Sequence, residues 1–115
     1  MPNDPATSSA SADPAEALVS QLRKPLLALA GTDPAAAWRV SGRLTELLLE
    51  VEGQALRTAL EAGQWLEARA AAMLGVTTPA VRSRLRPGGP HGDLGTEARV
   101  RRAQAGMARG RPPGT

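Results

Sequence analysis

The chain has 115 residues, fourteen of them Lys or Arg and eleven Asp or Glu, for a net charge of +3; that is at most one modest domain. It has no cysteine, which excludes disulfide staples and thiolate metal sites and fits a reducing compartment. The longest apolar runs, such as Leu47-Leu48-Leu49, are too short to cross a bilayer, and the opening Met-Pro-Asn-Asp-Pro has neither the basic start nor the apolar run of a signal peptide.

Residues 1–14, rich in Ser, Ala, Asp, Pro and Thr, are expected to form a disordered arm. A first helix is expected over 15–30. Asp13 can cap it, Pro14 suits its first turn, Glu16 complements its dipole and Gly31 stops it. Leu18, Leu22, Leu26 and Leu29 recur every three to four residues as one apolar stripe. Pro25 falls inside that pattern and predicts a kink or two short helices.

Asp33-Pro34 repeats the start signal. The long helix that follows carries Ala37, Val40, Leu44, Leu47, Leu48, Val51 and Ala55 on one side. Such a stripe exceeds what one neighbouring helix covers in a small protein, and it suits a coiled-coil-like dimer seam. Residues 15–62 therefore read as a helical dimerisation region, with Leu22, Leu26, Val40, Leu44, Leu47, Leu48 and Val51 as its contacts. Gly53 costs about 1 kcal/mol inside a helix, so it marks a bend or the join to a separate helix ending near Ala62-Gly63. Trp38 and Trp65, the only aromatic residues, are expected in the core or at its edge. Base stacking needs an aromatic platform, which a chain without Phe or Tyr hardly provides.

Residues 63–86 have the constraints of a helix-turn-helix, concentrated from Leu66 onward. Ala71 lies four residues before Gly75, where a small side chain lets a second helix cross closely. Gly75 can take the positive φ that ends the first helix, and Val76 is expected to plug the corner. Thr77 can cap the second helix, whose buried face is spaced by Val81 and Leu85, with Ala70, Met73 and Leu74 opposite. The exposed face then holds Thr78, Arg82, Ser83 and Arg86, with Arg84 on its flank. A helix of this kind can enter a major groove and present Arg and hydroxyl groups to phosphates and base edges. The competing structural reading is a plain helical hairpin with a solvated arginine face.

From Pro87 onward eleven of 29 residues are Gly or Pro, so 87–115 is expected to be a flexible tail. Charge is concentrated there: residues 1–61 carry −3, 62–81 balance, and 82–115 hold eight Arg against Asp93 and Glu97. That distribution is expected of a polyanion binder. His91 stands alone among Pro and Gly and reads as plain loop. No nucleophile, base or ligand cluster is visible, so no catalytic residue, metal or cofactor is expected and the chain is not read as an enzyme.

These residues resemble the closing pattern of the Fis family, the nucleoid-associated DNA-bending proteins, and of the Fis-type domains that end many bacterial activators. The matches are Ala70-Ala71, Leu74-Gly75-Val76-Thr77, Val81 and Arg84-Leu85. Upstream, residues 44–52 look like the end of the Fis dimerisation helix, and Leu56 and Leu60 like the helix after it. The resemblance implies a two-fold dimer carrying one helix-turn-helix per subunit, which binds and bends duplex DNA with loose sequence preference. By position it implies basic recognition residues at Arg82 and Arg84 and a role for Gln64 near the start of the preceding helix. Thr78, Ala80 and Ser83 depart from the family's pattern, which shifts the expectation from base readout to arginine contacts with the backbone. Arg86 and the tail residues Arg99, Arg101, Arg102, Arg109 and Arg111 can add to these contacts.

The expected molecule is all-α: a small homodimer with a C-terminal helix-turn-helix and flexible tails, cytoplasmic and nucleoid-associated, with duplex DNA as partner and no membrane. Its DNA-binding residues are Gln64, Thr77, Thr78, Arg82, Ser83, Arg84 and Arg86, and its turn is set by Ala71, Gly75 and Val76. The alternative is a helical adaptor that binds protein, not DNA, through the stripe of residues 37–51.

Overall fold

The structure is a computed structural model that describes residues 13–108. The expectations for residues 1–12 and 109–115, Arg109 and Arg111 among them, lie outside the described residues. The described residues are all-α, with no strand: α1 (Pro14–Thr32), α2 (Pro34–Ala62), α3 (Glu67–Leu74), α4 (Thr78–Leu85) and α5 (Gly92–Ala108). They cluster as two compact units that divide within α2, between Thr45 and Glu46.

In the first unit both helix starts are made by the same chemistry. Asp13 Oδ1 accepts from the Ala15 and Glu16 amides at 3.0 and 3.3 Å, so Asp13 and Pro14 are a cap and a first turn, not part of an arm. Asp33 ends one helix and begins the next: its amide donates to Leu29 O at 2.7 Å, and its Oδ1 accepts from the Ala36 amide at 3.1 Å. Of the kink or two short helices expected at Pro25, the two short helices are not found; α1 is one helix through it. No residue of α1 is buried. Leu18 and Leu22 of its stripe are exposed, whereas Leu26 and Leu29 are half-buried, as are Val40 and Leu44 of α2. Trp38, expected in the core, is 83% exposed.

The second unit has the core. Leu56, Ala59 and Leu60 from α2, Ala70 and Ala71 from α3, Val81 and Leu85 from α4 and Ala98 from α5 are buried together. Trp65, Leu74 and Leu94 pack against them. Burying one such Leu or Val stabilises a fold by about 1.5–3 kcal/mol, and the four alanines among them let short helices approach. Gly53 does not end α2, which runs through it to Ala62. A Cβ there would stand 3.1 Å from the His91 imidazole, so the missing side chain makes room for that ring.

The largest departure from expectation is α5, which lies in the segment expected to be a flexible tail and packs on α4. Gly92 and Gly95 in its first turn are places of contact. Gly95 is buried, and a Cβ on it would fall 1.9 Å from the Leu85 carbonyl oxygen. Only a residue without a side chain allows α5 to cross there. Arg57 of α2 then clamps the helix, its two terminal nitrogens gripping both oxygens of Glu97, one of them at 3.1 Å. Arg102 donates to Trp65 O at 2.7 Å, and the Arg101 guanidinium lies 5.4 Å from the Trp65 ring centre. This fixes the α2–α3 corner, where Gln64 and Trp65 adopt φ of 60° and 64°.

Candidate functional site

The site is built around α4, and the turn before it explains its placement. Gly75 has φ 73°, and the amides of Gly75 and Val76 donate to Ala72 O and Ala71 O at 3.3 and 3.0 Å. These two bonds close α3 with a left-handed glycine, at a position where other residues are strained. Thr77 then caps α4, its Oγ1 accepting from the Ala80 amide at 3.2 Å. The expectations for Val76 and Met73 do not hold: they are 48% and 56% exposed. Close approach at Ala70 and Ala71, not a valine plug, brings the two helices together.

With Val81 and Leu85 inward, helical spacing turns Pro79, Ser83 and Arg86 outward and puts Arg82 and Arg84 on opposite flanks. Thr78, expected on the exposed face, is the half-buried first residue of α4. The Ser83 hydroxyl donates to Ala80 O at 2.9 Å. Gln64 lies on the α2–α3 corner, where its Oε1 accepts from Arg69 at 2.6 Å.

Sequence reasoning missed the carboxylates that meet these arginines. Arg82 Nε donates to Glu67 Oε1 at 2.9 Å, joining α4 to the first residue of α3. Arg84 Nε donates to Glu52 Oε2 at 3.1 Å, and the other oxygen of that carboxylate lies 2.8 Å from His91 Nε2. The bond to His91 first, then that to Arg84, holds the Glu52 carboxyl below the usual carboxylate range against an opposing effect of burial. His91 is therefore not plain loop. Its side chain is 11% exposed, its amide donates to Arg84 O at 2.9 Å, and its carbonyl accepts from Gly95 at the start of α5. Arg86 has no such partner among the described residues. The Arg57 fork lowers the Glu97 carboxyl in the same way, with Arg101 adding to it.

The chemistry available is that of guanidinium groups. From Thr78 to the end of α5 stand six arginines against Asp93 and Glu97. Among the described residues no three His, Asp or Glu side chains gather to hold a metal ion, and no helix is long and apolar enough to cross a membrane. Beside α4 runs an apolar groove of about 240 Å³, lined by Ala55, Leu74, Val76 and Ala80 with Glu52 and Arg84 at its rim. Compared with protein-family models, curated proteins and solved structures, the chain finds no match in any of the three.

Proposed function

We propose that residues 46–108 form a helix-turn-helix unit that binds duplex DNA, with α4 presented to the major groove, and that the chain works as a homodimeric transcription regulator or DNA-bending protein of the nucleoid. The observation that carries this reading is α4 itself: an eight-residue helix, set by a left-handed glycine and a threonine cap, that buries Val81 and Leu85 and bears two arginines, with a third, Arg86, at its C-cap, and no carboxylate. The arginines of α5 extend the cationic surface in sequence beyond α4. Backbone neutralisation of this kind gives non-specific Kd values of roughly 10⁻⁴–10⁻⁶ M and a steep dependence on salt. The exposed Leu47, Leu48 and Val51 of α2 support the homodimer, since a second copy would cover apolar side chains that the single chain leaves in water. In this reading the protein acts by binding, not catalysis.

The test is an anisotropy titration of a short duplex at two salt concentrations, with mass by size exclusion on the same sample. Replacing Arg82, Arg84 and Arg86 together by Ala should abolish binding while helicity measured by circular dichroism is kept. Undiminished binding by the triple variant would sink the assignment of α4.

A second reading, a helical protein-interaction module, is favoured by one observation. Val51, Met73 and Val76 line two adjoining apolar depressions that share Ala55 and Leu74, with nothing over them. A chain that is monomeric and unretained on DNA at low salt would support this module.

A further inference from the structure

The structure holds two kinds of arginine–carboxylate pair, and the difference between them carries a proposal. Arg57 meets Glu97 end-on, through both terminal nitrogens, which occupies the fork and neutralises it. Arg82 meets Glu67 side-on, through Nε at 2.9 Å, and makes no other hydrogen bond or ion pair among the described residues. A guanidinium has five N–H donors. The Nε bond takes one and leaves both terminal amino groups unoccupied, side by side in one plane. That is the arrangement that meets O6 and N7 of guanine in the major groove.

We propose that Glu67 is a positioning residue that sets Arg82 to read a guanine, an inference that rests on the DNA-binding reading of α4. Two observations fit this role. Glu67 is the first residue of α3, where the helix dipole favours a carboxylate, and its side chain is 25% exposed. Arg82 is 65% exposed, so the base of its guanidinium is held and its far end is in solvent. Arg86, without a partner among the described residues, is left to contact phosphates. Arg84 is also held by Nε, but it borders the apolar groove and is less exposed, at 49%.

A carboxylate beside a DNA-binding helix could instead act as a brake that repels phosphates. The two roles predict opposite results for Glu67→Gln. The probes are two duplexes of equal length, one containing guanine and one of A·T pairs only, and a third in which every guanine is replaced by deazaguanine, which lacks N7. Wild-type full-length protein is expected to bind the guanine duplex about tenfold more tightly than the other two. Glu67→Gln should bind all three alike, with A·T affinity unchanged or raised by the lost negative charge. Arg82→Lys, which keeps the charge without the fork, should also lose the preference while its salt dependence stays at the wild-type value. Glu67→Gln tightening all three duplexes by one factor, with the preference kept, would overturn the proposal and establish the brake. A wild type with no guanine preference would overturn it while leaving DNA binding intact. Absence of any wild-type binding would remove the DNA reading itself. Melting temperature and circular dichroism of both variants separate these outcomes from misfolding.

Discussion

The two units of the described chain are similarly rich in leucine, valine and alanine and differ in what they do with them. In residues 13–45 the apolar stripes end half-covered at best: Leu22 is 51% exposed and no residue of α1 is buried. In residues 46–108 Leu56, Leu60, Val81 and Leu85 are each at most 4% exposed. Amphipathicity makes a helix; burial needs a second surface of matching shape at close range. The second unit has that surface because Ala59, Ala70, Ala71, Gly95 and Ala98 let four helical segments converge. The first has caps and stripes but no such convergence.

The largest effect that sharpens this contrast is at Leu60. Leu60→Ala should cost about 2–5 kcal/mol in urea unfolding, the usual range for emptying a core leucine site. Leu22→Ala on monomeric protein should stay within about 0.5 kcal/mol, as for an ordinary surface change. A comparable loss at Leu22 would break the contrast by showing that the face is covered in solution, and dilution would then reduce it.

Gly95→Ala comes next. Its Cβ would fall 1.9 Å from the Leu85 carbonyl oxygen, and backbone cannot swing aside as a side chain can. Overpacking of this order costs about 1–3 kcal/mol, and the amides of α5 should lose protection from hydrogen exchange before those of α4. Unchanged protection would return α5 to the status of a loose tail.

The smallest effect is the pH dependence. Glu52 and Glu97, both in the second unit, are held below the ordinary carboxyl value of 4.5 by His91 and Arg57 respectively. A carboxyl whose pKa is depressed on folding adds stability that is fully present above its unfolded value and lost as pH falls through its folded one. Thermal unfolding should therefore show a declining melting temperature below about pH 4.5, shallower in Glu97→Gln. An acid limb unaltered by that variant would mean the Arg57 clamp contributes nothing measurable.

Much of the local structure was legible because its causes are local. Asp13, Asp33 and Thr77 accept from amides two or three residues away, and Gly75 takes a conformation that favours glycine. Val81 and Leu85 are one turn apart on a single face. The pairs that define the site join residues remote in sequence: Arg82 with Glu67, Arg84 with Glu52, His91 with Glu52. No spacing rule connects them. Pro25 misled because a proline within a helix more often interrupts it, and Trp38 because an aromatic residue is more often covered.

By itself, then, the sequence determined that the described chain is helical, where α3 stops and α4 begins, and that α4 bears arginine outward over Val81 and Leu85. Those follow from hydrogen bonds and periodicities a few residues long. The tertiary structure alone decided that Gly92–Ala108 is a helix packed on α4. A glycine that frees a chain and a glycine that lets two backbones touch are the same letter, and only the Leu85 carbonyl against Gly95 distinguishes them. It alone also decided that both α4 arginines are held by their Nε from neighbouring helices, which turns a charged face into one with a set orientation.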